Sequence, residues 1–499
     1  MQTSSTSPLT FRDPSLLPPE VFHHILTYVE ACIPSLDPVI AAAQREAKQE
    51  TLLACARVSR RWKASALPVL WRDPHVGQSK LLVDKVILGS RLSAVHAESK
   101  GKSGLSTVGL EENGGRHEEP NGQSAPAEPW LGLFVQRLDL RDIHLVEPAD
   151  TSLLRILADT FPNLRTLRLK VGRFCESTLN YIFTKCPRIH TFSLKGSAFQ
   201  GMERPRDILS LVDDDMVVDG GGRSVRERKQ RTWTMKTAAA VAEGVKRLKA
   251  LDLYNVIYED GSAFYSLIES SVGPNLQFIN LGRTWVADKI VTSIASKCPN
   301  LRGVWLEENI GLSDAAIAVL AAKCPNLETV KLRNCVGLTD VSVRELALKC
   351  RNLKALGISY SRCTDASLYA LAEYSTNLHT LFMNDLPLED EDSVLAFLTR
   401  RGRKLKTLGM CQCEVVSDRS IRMISEMCPN LEELDIQQCG DSSGSGEPIR
   451  EESLERVIGR CRKLKTLVVH EVDGLSQEYV EGLGRRICTQ QFWLEPPGF

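Results

Sequence analysis

Pro299-Asn-Leu-Arg-Gly-Val-Trp-Leu306 and Pro325-Asn-Leu-Glu-Thr-Val-Lys-Leu332 are two copies of one block, and the spacing between them decides the fold. The block returns as Pro162-Asn-Leu-Arg-Thr-Leu-Arg-Leu169 and Pro429-Asn-Leu-Glu-Glu-Leu-Asp-Ile436. Weaker copies begin their apolar pattern at Val135, Ile189, Leu248, Leu276, Leu353, Leu378, Leu405 and Leu464. From Leu276 the first apolar position recurs at 301, 327, 353, 378, 405 and 431, a spacing of 25 to 27 residues. A period in this range marks an array of small units rather than one compact core.

Each block contains a strand. In Val304-Trp-Leu306 or Val330-Lys-Leu332 the apolar residues alternate, so they point to one face while Trp305 and Lys331 point to the other. A turn with Ser or Thr before Asp follows, as in Leu312-Ser-Asp314, Leu338-Thr-Asp340, Cys363-Thr-Asp365 and Val416-Ser-Asp418. Such side chains accept from the free N–H groups that open a helix. Ala315–Lys323 then carries Ile317, Leu320 and Ala321 at helical spacing. The unit is strand, turn, helix, and only stacking buries its apolar faces.

The cysteines fall into this frame. Cys186, Cys298, Cys324, Cys350, Cys428 and Cys461 each precede the first apolar strand position by three residues, while Cys335, Cys413 and Cys439 follow the strand. These are tight inward positions that suit a small apolar side chain. On these residues, over about Val135 to Val469, the chain resembles the cysteine-containing subfamily of leucine-rich-repeat proteins. The resemblance implies an α/β solenoid, the leucine-rich-repeat horseshoe, over residues 133–490.

Three stretches interrupt the pattern. Phe199–Arg231 holds Asp213-Asp-Asp215, Gly220-Gly-Gly222 and Arg226-Glu-Arg-Lys-Gln-Arg231 without strand or helix periodicity, and is expected to be an inserted loop. Asp441 to Pro448 is a second, Gly/Ser-rich loop, and residues 94–129 read as a disordered linker rich in Gly, Ser, Glu and Pro.

Ahead of the linker the pattern changes. Leu17-Pro-Pro-Glu-Val-Phe-His-His-Ile-Leu-Thr-Tyr-Val29 opens as a helix should, with Pro then Glu, and carries an apolar stripe. Leu52-Leu-Ala-Cys-Ala-Arg-Val-Ser-Arg-Arg-Trp62 suggests a second helix, and Leu70-Trp-Arg72 closes the stretch. The Leu-Pro-x-Glu start, the Val-Ser-Arg-Arg-Trp end and the closing Leu-Trp resemble the F-box, a small all-helical module expected over residues 14–75. Glu30–Thr51 is longer than the joint usual in that family. The resemblance implies docking on a Skp-type adaptor and, through it, a cullin, with Leu17, Pro18, Val21, Ile25, Val58, Trp62, Leu70 and Trp71 at the contact. A horseshoe cap would be the structural alternative, but a cap must touch its first repeat and the linker intervenes.

The chain offers no sign of chemistry. It has no P-loop, G-x-S-x-G, H-E-x-x-H or dinucleotide fingerprint, and its nine histidines are scattered. No paired CxxC sets accompany Cys411 and Cys413, so neither a metal nor a cofactor is expected. Lys+Arg and Asp+Glu are 62 each, which argues against a nucleic-acid partner, since phosphate binding favours a basic excess. Met1–Thr10 is polar and no stretch of about 18 apolar residues occurs, so no secretion signal or membrane span is expected. A cytoplasmic or nuclear location with reduced thiols follows.

The outward strand positions carry the candidate partner site. Along the array they run through Arg137, Arg141, Arg168, Lys170 and Lys195, then Tyr254, Phe278, Trp305, Tyr360 and Phe382, then Asp385, Glu433, Asp435 and Glu471, with Lys331 and Arg333 out of trend. Aromatics at outward positions are candidate anchors for a client protein, most of all Trp305 and Phe382. Together with the F-box resemblance, this implies a client-recognition subunit of an SCF-type ubiquitin ligase, serving ubiquitination and proteasomal degradation without being an enzyme itself. The alternative is a ligase-independent binding scaffold or inhibitor built on the same repeats.

Overall fold

The computed structural model describes residues 136–140, 154–155, 157–159, 161–170, 176–195, 232–233, 235–258, 262–270, 272–440 and 447–483. The F-box-like segment, the linker at 94–129 and the insertion at 199–231 lie outside these residues. The chain divides into two compact units, residues 1–167 with 181–188, and residues 168–180 with 189–499.

The first unit contains β1 (Arg137–Asp139) and a core of Leu138, Leu154, Leu157, Phe161, Leu164 and Phe183. The Cys186 thiol donates to the Phe161 carbonyl at 3.4 Å, and the Tyr181 hydroxyl donates to Asp159 at 2.8 Å. In sequence, β2 (Thr166–Lys170) and helix α1 (Glu176–Lys185) run across the division between the units.

The second unit is the repeat array. Its strands β3 (Thr191–Lys195), β5 (Ala250–Asp252), β7 (Phe278–Asn280), β8 (Gly303–Trp305), β9 (Thr329–Lys331), β10 (Ala355–Gly357), β11 (Thr380–Phe382), β12 (Thr407–Gly409), β13 (Glu433–Asp435) and β14 (Thr466–Val468) pair in parallel, each with the next. Parallel neighbours require a crossover, and one helix supplies it in most repeats: α3 (Ser262–Glu269), α4 (Asp288–Lys297), α5 (Asp314–Lys323), α6 (Asp340–Lys349), α7 (Asp365–Tyr374), α8 (Glu391–Arg401), α9 (Asp418–Met427) and α10 (Glu451–Arg460). Helix α2 (Met235–Gly244) precedes β5, and α11 (Gln477–Leu483) follows β14. The expected strand–turn–helix unit is therefore observed. One element was not anticipated: a separate two-stranded sheet of β4 (Thr232–Trp233) and β6 (Ile257–Tyr258).

Inward residues of the strands meet inward residues of the helices. Val304, Val330, Leu356, Leu381, Leu408 and Leu434 are buried with Ile317, Leu320, Val343, Leu346, Leu368 and Leu371. The described cysteines are free and buried. Their thiols close gaps between repeats: Cys335 donates to Leu306 O at 3.1 Å, Cys439 to Met410 O at 3.0 Å and Cys461 to Cys428 O at 3.2 Å. Burial pushes the Cys324, Cys335 and Cys413 thiols up to about 12, so they stay protonated.

The Ser/Thr-Asp turns differ from the expectation of purely local caps. Thr339 and Ser417 do accept from the N–H two residues on, at 3.3 and 3.1 Å, but Ser313 and Thr364 do not. The acid instead crosses to the following repeat. Asp314 accepts from the Thr339 N–H and hydroxyl at 2.9 and 2.6 Å and from the Ser342 N–H and hydroxyl at 3.2 and 2.5 Å. Asp340 does the same to Thr364 and Ser367, and Glu391 to Ser417 and Ser420. Each acid thus accepts from amides at the start of its neighbour's helix and lies near that helix's positive end.

A second ladder runs where the strands end. Asn255, Arg283, Glu308, Asn334, Tyr360, Asp385, Gln412, Gln438 and Glu471 all have φ between 50° and 61°. Such a conformation costs an L-residue about 1–2 kcal/mol. The inter-repeat bond it allows offsets that cost: Glu308 N donates to Arg333 O at 2.7 Å, Asn334 N to Ser359 O at 2.8 Å, and Tyr360 N to Asn384 O at 2.8 Å.

Candidate partner-binding face

The sheet face opposite the helices is built from the strand positions between the inward residues. One row across the array reads Asp252, Asn280, Trp305, Lys331, Gly357, Phe382, Gly409, Asp435 and Val468, each in register with the next. A parallel row contains Phe278, Gly303, Thr329, Ala355, Thr380, Thr407 and Glu433.

Trp305 points to this face as the alternation requires, yet it is 0% exposed. It is therefore corrected from an exposed anchor to a buried one. Its ring folds back over Gly303, where an added Cβ would lie 2.5 Å from Trp305 Cη2 and 2.7 Å from Phe278 Cδ1. The Phe278 and Trp305 rings stand 6.2 Å apart, tilted by 38°. A glycine one residue pair away gave the indole a bed, and the sequence reading weighed only the direction of the side chain.

The other aromatics are half-buried. Tyr254 lies against Gly282, and burial, then Glu308, raise its phenol, with Arg283 opposing. Arg283 in turn pairs with Glu308 at 2.9 Å. Tyr360 is not on a strand but at the left-handed position after β10; its hydroxyl donates to Gln412 Oε1 at 3.2 Å, and the Arg333 guanidinium stacks 5.0 Å from its ring centre. Phe382 leans over Gly409, where a Cβ would meet its Cδ1 at 2.7 Å.

The charges are set unevenly. Lys331 is half-buried, and burial lowers the pKa of its ammonium, with Glu307 partly offsetting. Glu433 is buried and accepts from the Thr407 hydroxyl at 3.0 Å; burial raises its carboxyl. Asp435 accepts from Gln437 N–H at 3.1 Å, and burial raises its carboxyl too. Asp252, bound to the Ser193 hydroxyl at 2.8 Å, places an acid where the sequence trend was basic. Arg137 is exposed on β1, Arg168 is half-buried on β2, and the Lys195 side chain lies outside the described residues. Asp385 and Glu471 are exposed in the left-handed turns. Among the described residues, no cluster of His, Cys, Asp and Glu could hold a metal ion, and no helix is long and apolar enough to cross a membrane.

Comparison with known families matches residues 14–76 to the F-box-like model. An F-box-like segment precedes leucine-rich repeats. That span contains Leu17, Pro18, Val21, Ile25, Val58, Trp62, Leu70 and Trp71, which all lie outside the described residues. Comparison with curated proteins finds no match. Among solved structures, the chain is similar to one from the Rad7 and Elc1 complex in yeast, at 18% identity and a TM-score of 0.41, over 60% of this chain and 77% of that one. An internalin (InlF) from Listeria monocytogenes str. 4b F2365 is similar at 13% identity and a TM-score of 0.33, over 69% of this chain and 89% of that one.

Proposed function

We propose that this F-box-like leucine-rich-repeat protein is the client-recognition subunit of an SCF-type ubiquitin ligase. The observation that carries the reading is the F-box-like match at residues 14–76 ahead of a repeat array with a helix-free face. The F-box-like segment docks on a Skp-type adaptor and so on a cullin. The open face, with Tyr254, Phe278, Tyr360 and Phe382 half-buried on it, holds the client. The chain performs no bond chemistry itself; it raises the local concentration of client beside the ubiquitin-loaded enzyme, which is catalysis by proximity. Ubiquitination and proteasomal degradation of the client follow.

Leu17, Pro18, Val21, Ile25, Val58, Trp62, Leu70 and Trp71 carry the adaptor contact in this reading. The test is co-purification of the full chain with adaptor and cullin. Replacing Leu17 and Pro18 together by Ala should abolish adaptor capture while the repeats keep their melting transition. Undiminished capture by the double variant overturns the tether, and the chain is then a scaffold that acts without a ligase.

A further inference from the structure

The residue just before each strand forms a further row, at the edge where the chain enters the sheet. From β8 to β14 it reads Arg302, Glu328, Lys354, His379, Lys406, Glu432 and Lys465. Backbone bonds of 2.7 to 2.8 Å tie each of these residues to the one before it in the row. The signs alternate. Glu328 is held between Arg302 at 2.7 Å and Lys354 at 2.8 Å, and Glu432 between Lys406 at 3.4 Å and Lys465 at 2.6 Å. Opposite charges on neighbouring strands attract, and like charges side by side repel.

His379 breaks the alternation at its centre. It stands between Lys354 and Lys406, where an acid would continue the pattern, and its half-buried ring makes no hydrogen bond among the described residues. Burial, then Lys406, Lys404 and Lys354, lower the pKa of the ring, which leaves it neutral above pH 7. Lys404 thus brings a third ammonium to the place, and its own bonds go only to neutral oxygens, Thr376 O at 2.7 Å and Asn377 Oδ1 at 3.3 Å. The acids of the row neutralise it only by half, because Glu328 and Glu432 are each shared by two cations. The side chains of Lys354 and Lys406 are 51% and 57% exposed, so the slot opens to solvent. An exposed ion pair is worth little, and each lysine turns to an incoming anion at small cost. A long polyanion running along the row does not fit. It would meet Glu328 and Glu432 two strands to either side of His379, about 10 Å away at about 4.8 Å per strand. One acidic side chain does fit.

We propose that the His379 slot receives a single aspartate or glutamate side chain of a partner protein, held between Lys354 and Lys406 with Lys404 beside them. The slot lies at the entry edge of the sheet, apart from the outward strand row, and it stands whether or not the chain serves a ligase. The arriving carboxylate favours the imidazolium form of His379, which then donates to it.

His379→Glu tests the slot without a partner. Its carboxylate completes the alternation, so this variant should melt about 1–3 °C above His379→Gln, which removes the ring alike but adds no charge. The same carboxylate should fill the slot. A random twelve-residue peptide library, selected on the full native chain and counter-selected on His379→Glu, should yield peptides that share one acidic residue. Replacing that acid by Gln should weaken an enriched peptide about tenfold. Lys354→Gln and Lys406→Gln should weaken it about two- to fivefold each, whereas Arg419→Gln, at the opening of α9, should leave it unchanged. Peptide binding should also raise the pKa of His379, read by NMR on a chain labelled at histidine, which a merely structural role would not do. Equal melts for the Glu and Gln variants overturn the slot, and so does a library that yields no peptide able to tell the native chain from His379→Glu. Twelve-nucleotide single-stranded DNA that displaces the peptide at equal concentration marks the row as a polyanion site and overturns the choice of partner.

Discussion

Asp314→Ala removes one side chain and strands four donors in the next repeat: the Thr339 and Ser342 amides and both hydroxyls, which reach Asp314 at 2.5 to 3.2 Å. The hydroxyls rotate to water at little cost, and the Ser342 amide keeps its bond to the Thr339 carbonyl at 3.1 Å, but the Thr339 amide at the start of α6 loses its carboxylate. Losing a capping carboxylate costs about 0.5–2 kcal/mol, and a charge-assisted bond to a second amide adds about 1 kcal/mol. Because Asp314 is half-buried rather than enclosed, about 2 kcal/mol is the working figure. Over an array of this length that corresponds to a fall of about 3 °C in melting temperature.

Asp314→Asn keeps an acceptor and loses the charge, so it should fall between wild type and Ala. Thermal and urea melts give the size, and amide hydrogen exchange at Thr339 and Ser342 gives the place. The pH dependence has a definite sign. Burial acts to raise the Asp314 carboxyl, but the bonds from Ser342 and Thr339 outweigh it and leave the pKa below its ordinary 3.8. A depressed carboxylate contributes stability that is complete above the unfolded value and is lost as pH falls through the lower, folded value. The Asp314 contribution should therefore persist at pH 5 and disappear only below about 4. Equal melts for wild type and Ala, or unchanged exchange at both amides, would refute the inter-repeat ladder as a source of stability.

Trp305→Ala should now destabilise the fold itself, by about 3 kcal/mol or more, because a buried indole is removed rather than an exposed one. Its near-UV circular dichroism should lose the Phe278–Trp305 signal, and an unchanged melt would show that the ring is not enclosed. At pH 8, thiols raised to about 12, such as Cys324 and Cys335, are ionised in only about one molecule in ten thousand. Iodoacetamide should therefore leave these cysteines unlabelled in the native chain and label them in urea, as read by mass spectrometry; rapid native labelling contradicts the burial. Deleting 199–231 should change the melting temperature by no more than about 1–2 °C, since the stretch has no periodicity with which to pack. A larger fall would reveal a degenerate repeat within it.

The sequence alone determined the repeat, its length, the strand–turn–helix order and the inward residues. These depend on local periodicity: alternation in Val304-Trp-Leu306, helical spacing in Ile317 and Leu320, and cysteines at one fixed offset. The F-box-like segment was likewise legible from its own residues, and the family match at 14–76 covers the same stretch. Tertiary structure decided what depends on the neighbouring repeat. The left-handed turn residues include Asn, Arg, Glu, Tyr, Asp and Gln, so no residue preference marks them; a carbonyl in the turn of the following repeat accepts from each of several of these amides, a partner only stacking supplies. The acids at the helix starts were read as local caps because their long-range partners lie 24 to 29 residues away and only stacking brings them close. Trp305 was placed on the right face and given the wrong exposure. Alternation fixes which way a side chain leaves the strand, whereas burial depends on what lies beside it, here Gly303 within its own strand and Phe278 on the preceding one.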